Sequence, residues 1–174
     1  MNQKTIYYLK RITVKKGEII QRKGDLNTKS YTVIKGLLRS YSIDEKGKEH
    51  IFLFAPEDWM IADSIPYGKP ADLFIDALEH TEIRVLEKTN NPESHKDKLF
   101  KRLAVLQKRV IMLMSSTAIE RYEHFVETYP DIVQRVPQKM IASYLGITPE
   151  ALSKLKKERF TSKDRIAAKA SLQK

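Results

Sequence analysis

The sequence predicts an α+β protein, in which an antiparallel β-domain precedes a long helix and a smaller helical region. Three observations predict this order. Short apolar or alternating runs separated by turn residues recur up to about residue 90. The stretch from about 94 to 128 contains neither glycine nor proline. From about residue 130 the chain has the spacing of two short helices joined by a tight turn.

The β-domain is predicted from its alternation of short runs and turns. Turn signals such as Lys35-Gly36 and Asp44–Gly47 separate the runs, and the second would join a hairpin. Strands of about five residues at this spacing are typical of an antiparallel sandwich or barrel. The predicted strands are Glu18–Gln21, Ser30–Ile34, Leu37–Ile43, His50–Phe54, Phe74–Ala77 and Glu82–Leu86.

A single long helix is predicted over residues 93–129, because apolar residues recur there at alternating intervals of 4 and 3. This seam consists of Leu99, Leu103, Leu106, Val110, Leu113 and Thr117. A second apolar stripe lies beside it: Phe100, Ala104, Ile111, Met114 and Ala118. A helix with two stripes needs two surfaces to bury them. We therefore expect the seam to pair with a second copy of the chain; a monomer with one broad buried helix face is the alternative.

Positive charge is concentrated near the C-terminus. The 174-residue chain carries a net charge of +10, and residues 132–174 carry 10 basic and 3 acidic side chains, a balance of +7. Basic side chains placed at phosphates release condensed counterions, so this asymmetry favours binding to a polyanion. A solvated basic tail is the alternative explanation of the charge alone.

The basic region contains the spacing of a helix-turn-helix, with helices predicted at Gln138–Leu145 and Pro149–Lys157. Pro137 suits a first helical position, because its missing N–H has no partner there. Gly146 can end the first helix in a left-handed conformation, and Thr148 is a suitable N-cap for the second. The residues expected to face inward are Ile141, Ala142, Leu145, Leu152 and Leu155.

The outward residues of these helices have the chemistry of DNA recognition. Glu150 can accept from a cytosine amine and Lys154 can donate to guanine, whereas the other lysines suit phosphates. The predicted DNA contacts are Gln138, Lys139, Thr148, Pro149, Glu150, Ser153, Lys154, Lys156 and Lys157. The alternative is a small helical hairpin with a solvated basic face.

This segment resembles the DNA-binding signature of the Crp/Fnr transcription regulators, through Ile141-Ala142-x-x-Leu145-Gly146-Ile147-Thr148-x-Glu150-x-Leu152-Ser153-Lys154. Upstream, Lys16–Ile20, Tyr31–Arg39 and Asp58-Trp59 resemble the β-roll of the same family. The resemblance covers about residues 15–157. It implies a cyclic-nucleotide-binding-type jelly roll in 1–92, a dimerisation helix in 93–129 and a helix-turn-helix domain in 130–174.

The function that the resemblance implies is that of a dimeric, sequence-specific regulator in the bacterial cytoplasm. The expected partners are double-stranded DNA and a second copy of the chain, with RNA polymerase as a candidate. An effector, if one binds, is a small molecule of unknown identity, and no association with a membrane is expected.

The β-roll departs from the cyclic-nucleotide binders of this family, which use a Gly-Glu pair and an Arg-Ser pair. Asp63 stands where the Glu belongs, after Ala62, and Pro70-Ala71 stands where Arg-Ser belongs. Lys69 would supply only a flexible point charge. We therefore do not expect cyclic AMP to bind. The candidate effector pocket comprises Trp59, Ala62, Asp63, Ser64, Lys69, Pro70 and Ala71.

Several other classes of function are excluded or disfavoured by composition. The chain has no cysteine, which excludes disulfides, a thiol nucleophile and the iron–sulfur cluster of the Fnr members. No P-loop, dinucleotide fingerprint or nucleophile elbow is present, so the protein is not expected to be an enzyme. No cofactor or metal site is predicted. No apolar run approaches the roughly 20 residues that span a bilayer.

A second hypothesis is a ligand-sensing or protein-interaction module whose degenerate helix-turn-helix does not read DNA. Pro149 stands where relatives often have arginine, and residues 158–174 lack the strand pattern of a wing hairpin. Against this hypothesis, the groove-facing side keeps Glu150, Ser153 and Lys154.

Overall fold

The computed structural model describes residues 10–26, 28–66, 68–87 and 96–158. The chain divides into two compact units, one ending at Lys96 and the other beginning at Asp97. The first unit contains the strands and the second contains the helices. Across the described residues, no helix is both long and apolar enough to cross a membrane.

The described part of the first unit contains eight antiparallel strands in two sheets. The strands are β1 (Lys10–Val14), β2 (Ile19–Gln21), β3 (Lys29–Lys35), β4 (Leu38–Ile43), β5 (Glu49–Ala55), β6 (Met60–Ala62), β7 (Phe74–Ala77) and β8 (Thr81–Glu87). One sheet has the order β1-β8-β3-β6 and the other β2-β7-β4-β5. The predicted α+β class, with an N-terminal jelly-roll-like domain followed by helices, is confirmed.

All the predicted strands are present, within one or two residues of their expected bounds. The hairpin of β4 and β5 forms as expected, and the carboxylate of Asp44 accepts the N–H groups of Lys46 and Lys48 in its turn. Strands β1 and β6 were not predicted. The first half of β1 is basic, and β6 has only three residues, whose pairing with β3 spans about thirty residues of chain.

The core of the β-domain follows the period of two expected for strands with one buried face. Tyr31 and Val33 of β3 are buried, as are Ile83 and Val85 of β8. The turn between β3 and β4 packs closely on β8. A Cβ at Gly36, whose φ is +102°, would lie 2.6 Å from Thr81 Oγ1, so this turn requires glycine.

Five helices follow in the described part of the second unit. They are α1 (Lys96–Ser115), α2 (Ala118–Thr128), α3 (Ile132–Arg135), α4 (Gln138–Leu145) and α5 (149–158). The bounds predicted for α4 are confirmed, and α5 begins at the predicted residue and is described as far as residue 158. Pro137 was expected at the first helical position but is instead the cap residue before α4, with φ −59° and ψ 143°.

The prediction of one continuous helix over 93–129 was wrong. The chain leaves the helix after Ser115, and Thr117 begins a new one as the N-cap of α2. The N–H of Glu120 donates to Thr117 Oγ1, while the carboxylate of Glu120 accepts from the N–H of Thr117 at 2.7 Å. This capping box satisfies donors that an uninterrupted helix would use itself. Thr117 is therefore a cap residue and not the last member of an uninterrupted seam.

Candidate functional site

The turn between α4 and α5 has the geometry that its sequence predicts. Gly146 adopts φ +68° and ψ 32°, and its N–H donates to Ser143 O. The N–H of Ile147 then donates to Ala142 O at 3.0 Å. These bonds close the last turn of α4, and the left-handed residue redirects the chain into the next helix. Ile141, Ala142 and Leu145 are fully buried, as predicted.

The start of α5 is held by Thr148, which was predicted as its N-cap. Thr148 Oγ1 accepts the N–H of Ala151 at 3.2 Å. The carboxylate of Glu150 accepts from its own backbone N–H and from the Thr148 hydroxyl, and these bonds lower the pKa of Glu150. The exposed carboxylate of Glu150 is therefore hydrogen-bonded at the N-terminus of α5, the end of a helix where negative charge is favourable.

The outer face of α5 presents polar side chains. Leu152 is fully buried, whereas Ser153, Lys154 and Lys157 are exposed. The other predicted contacts that are exposed are Gln138, Lys139, Thr148, Pro149 and Glu150. Lys156 was predicted to face outward but is half-buried. It follows Leu152 by four residues and therefore lies on the same, inward side of the helix.

Two arginines from preceding helices bind the end of α4. Arg121 of α2 donates from Nη1 to Leu145 O at 2.8 Å. Arg109 of α1 lies with its guanidinium carbon 4.1 Å from the centre of the Tyr144 ring, and its Nη2 is 3.5 Å from Tyr144 O. No sequence signal indicated these contacts, because they join residues 24 and 35 positions apart.

Helix α1 carries an exposed apolar face. Of the predicted seam, Leu103 is 50% exposed, Val110 55% and Leu113 37%, while Leu106 is half-buried. The side chain of Leu99 lies outside the described residues. In the second stripe, Phe100, Ile111 and Met114 are also exposed. So many large apolar side chains on one helix are typical of a surface that pairs with another protein.

In the candidate effector pocket, Asp63 is buried and bonded to the protein itself. Its Oδ2 accepts the N–H groups of Asp72 at 2.8 Å and Leu73 at 2.9 Å. Its Oδ1 accepts the N–H of Ile65 at 3.3 Å, and Gln21 Nε2 lies 3.5 Å from Oδ2. The carboxylate of Asp63 therefore fixes the backbone of the segment that follows Ala71. The sequence did not indicate this structural role.

The other predicted pocket residues fall into two groups. Ala62 and Ala71 are buried, and Ala71 exchanges backbone hydrogen bonds with Gly24 and Asp25. The remaining members are solvent-exposed: Trp59, Ser64, Lys69 and Pro70. The structure therefore brings Asp63 and the segment after Ala71 together, while Lys69 points its charge into solvent.

The β-domain contains a buried cluster of charged side chains around Arg39 that the sequence analysis did not predict. Arg39 Nε and Nη2 donate to the two carboxylate oxygens of Asp76 at 2.8 and 2.9 Å, and Arg39 also binds Glu49. Burial alone would lower the pKa of Arg39, but hydrogen bonds to Asp76 and Glu49 outweigh it and hold that pKa above its ordinary value. The guanidinium also lies 4.1 Å from the centre of the Tyr41 ring.

The chain is similar in sequence to known proteins. Residues 11–91 match the family model of the cyclic nucleotide-binding domain. The chain is 26% identical to the nitrogen fixation regulation protein FixK of Rhizobium meliloti (strain 1021), in a match that covers 82% of this chain and 72% of that protein. The resemblance inferred from the motifs is confirmed.

Solved structures show the same fold. FixK2 from Bradyrhizobium japonicum is similar with a TM-score of 0.71 and 19% identity, covering 88% of this chain and 85% of that one. A CRP/FNR-family transcriptional regulator from Thermus thermophilus is similar with a TM-score of 0.68 and 18% identity, covering 88% of this chain and 87% of that one. At these identities the likeness establishes the fold that the chain shares with Crp/Fnr regulators.

Proposed function

Because residues 11–91 belong to the cyclic nucleotide-binding domain family and the chain is similar to Crp/Fnr regulators in sequence and fold, we propose that it is a dimeric, sequence-specific DNA-binding transcription regulator. The observation that carries the proposal is α5. This helix is capped at Thr148 and seated by the buried Leu152, and it holds Ser153 and Lys154 exposed. A helix presented in this way can enter a major groove.

Within α5, Lys154 is the residue that we propose reads a base. Its ammonium can donate to O6 and N7 of a guanine, whereas Glu150 is already bonded at the helix start. Ser153 is exposed beside Lys154 and can contact a base or the backbone. The exposed Lys139 and Lys157 are proposed to bind phosphates, as are the helix-start residues Gln138 and Thr148. Pro149 has no N–H and no polar side chain, so it can contact DNA only through its ring. Half-buried Lys156 is the weakest member of the predicted set.

The dimer is proposed to form through the exposed seam of α1, because α1 leaves Leu103, Val110 and Leu113 uncovered in the single chain. Two copies related by a twofold axis would place two α5 helices in successive major grooves. The target is then an inverted repeat whose half-sites are about 34 Å, or 10 bp, apart.

We propose that the β-domain does not take cyclic AMP as its effector. The N–H groups of Asp72 and Leu73 are bonded to the Asp63 carboxylate, and a buried negative charge at that position opposes a second anion. Arg39 is engaged by two carboxylates. In the proposed function, the protein acts in the cytoplasm by binding DNA and catalyses no reaction. RNA polymerase is a candidate partner.

Lys154→Ala tests the base-reading role. We expect this change to weaken binding to the inverted repeat that the wild type selects from a randomised duplex library by roughly 5- to 150-fold, because one bidentate base contact is lost. Fluorescence anisotropy with a labelled duplex measures the loss. The matched control is Lys108→Ala, which removes an exposed lysine from α1. Equal affinities of the Lys154 variant and the wild type would contradict the role.

Lys157→Ala tests a phosphate contact near the other end of α5. We expect the slope of log affinity against log salt to become shallower by about one, while the ratio of affinities for the selected and a scrambled duplex stays constant. Titrations at several salt concentrations give both quantities. A constant slope would remove Lys157 from the phosphate-binding set, and a changed ratio would make it a base-reading residue.

A further inference from the structure

The C-terminus of α4 is attached to two other helices by charged side chains. The last carbonyls of a helix have no partner within it, and positive charge there is favourable. Arg121 of α2 donates to Leu145 O at 2.8 Å. Arg109 of α1 covers the Tyr144 ring at 4.1 Å and approaches Tyr144 O at 3.5 Å.

The aromatic ring under Arg109 is itself fixed by α2. The centre of the Tyr144 ring lies 5.3 Å from that of Phe125 and 5.8 Å from that of Tyr129, the latter edge to face. Phe125 and Tyr129 are fully buried. Tyr144 is thus held between α2 and the guanidinium of Arg109, and the end of α4 has little freedom to shift.

Only residues 146–148 separate this attached end from α5, and Gly146 turns the chain in a left-handed conformation. A Cβ on Gly146 would lie 3.7 Å from Arg121 Nη1, so the arginine lies directly against the turn. A displacement of Leu145 O would therefore change the direction in which α5 leaves the turn.

From this geometry we propose that Arg121 and Arg109 are positioning residues for α5. They fix the angle at which α5 meets DNA, although neither belongs to the proposed DNA contacts. Arg109 also directly precedes Val110 of the seam. In this proposal, pairing of two α1 helices affects the direction of α5 through the side chain of Arg109, because one turn of α1 carries both the seam residue Val110 and the arginine that covers Tyr144. The inference rests on the proposed DNA-binding function.

The test compares Arg121→Met and Arg109→Met with Lys108→Met, which loses the same charge from an exposed position of α1. We expect both arginine variants to bind the duplex selected by the wild type about tenfold more weakly. Affinity for a scrambled duplex and its salt dependence should stay constant, because the number of phosphate contacts is the same. Arg121→Lys keeps one donor for Leu145 O and should bind like the wild type.

Equal loss of affinity for the selected and the scrambled duplex, or no loss at all, would overturn the positioning role. A second measurement does not depend on DNA: amide hydrogen exchange at residues 144–148 should be faster in Arg121→Met than in Arg121→Lys and Lys108→Met, and equal rates would also overturn the positioning role. If the wild type selects no duplex, the proposed function fails, while the exchange rates still decide whether the arginines anchor the turn.

Discussion

Val110→Asp is expected to convert the protein into a folded monomer that binds the selected duplex roughly 100-fold or more weakly than the wild type. Val110 is 55% exposed in the single chain, so aspartate there costs the isolated protein little. In the proposed dimer the two aspartates would face each other across the twofold axis in an apolar seam, where unpaired charge is strongly disfavoured. A monomer engages one half-site and loses the gain from binding two.

Sedimentation equilibrium measures the association, and anisotropy with the selected duplex measures the affinity. The matched control is Lys108→Gln, which changes the net charge by the same amount at an exposed position of α1 outside both apolar stripes. It should remain dimeric. A Val110→Asp protein that stays dimeric with unchanged affinity would show that the seam is not the dimer interface.

Asp76→Asn is expected to have the largest effect on stability, lowering the free energy of unfolding of the β-domain by about 3–5 kcal/mol. The side chains of Arg39 and Asp76 are only 7% and 8% exposed, and Asp76 accepts two of the arginine's hydrogen bonds. Asparagine cannot neutralise the guanidinium, which is then left buried with Glu49 as its acidic partner. Because Asp76 is the more buried of the two carboxylates, its loss leaves the buried charge of Arg39 only partly compensated.

Urea denaturation followed by tryptophan fluorescence measures this change, since Trp59 is the sole tryptophan and lies in the same unit. The control is Lys29→Met, which breaks an exposed ion pair with Glu87 and should cost less than about 1 kcal/mol. Adding Arg39→Met to Asp76→Asn should recover part of the stability. If Asp76→Asn costs no more than Lys29→Met, the buried pair is not a major stabilising element.

Local signals were sufficient for most of the fold. Strands β3 and β8 alternate buried residues with less buried ones, and Gly146 ends α4 while Thr148 begins α5 through bonds within a few residues. The break after Ser115 was also encoded locally, by the capping box of Thr117 and Glu120. Because the apolar period of 3.5 continues across the break, the pattern predicted one continuous helix instead of two.

The parts that could not be predicted depend on contacts between distant residues. Asp63 looked like a ligand-binding carboxylate, but its partners are backbone N–H groups about ten residues further along the chain. Arg121 and Arg109 bind carbonyl oxygens, which every residue carries, so no motif marks them. The error at Lys156 had a different origin, because a local signal was available. Lys156 was assigned to the DNA-facing side of α5 from its charge, although its spacing of four residues from Leu152 predicts the inward side.

Selection from a randomised duplex library at about 150 mM salt, with and without cyclic AMP, tests the central claim most directly. We expect enrichment of an inverted repeat with half-site centres about 10 bp apart, equally in both conditions. Enrichment that requires cyclic AMP would contradict the proposal that Asp63 and Arg39 leave the β-domain without that effector. Enrichment of no sequence in either condition would contradict DNA recognition by α5 and favour a protein-interaction module.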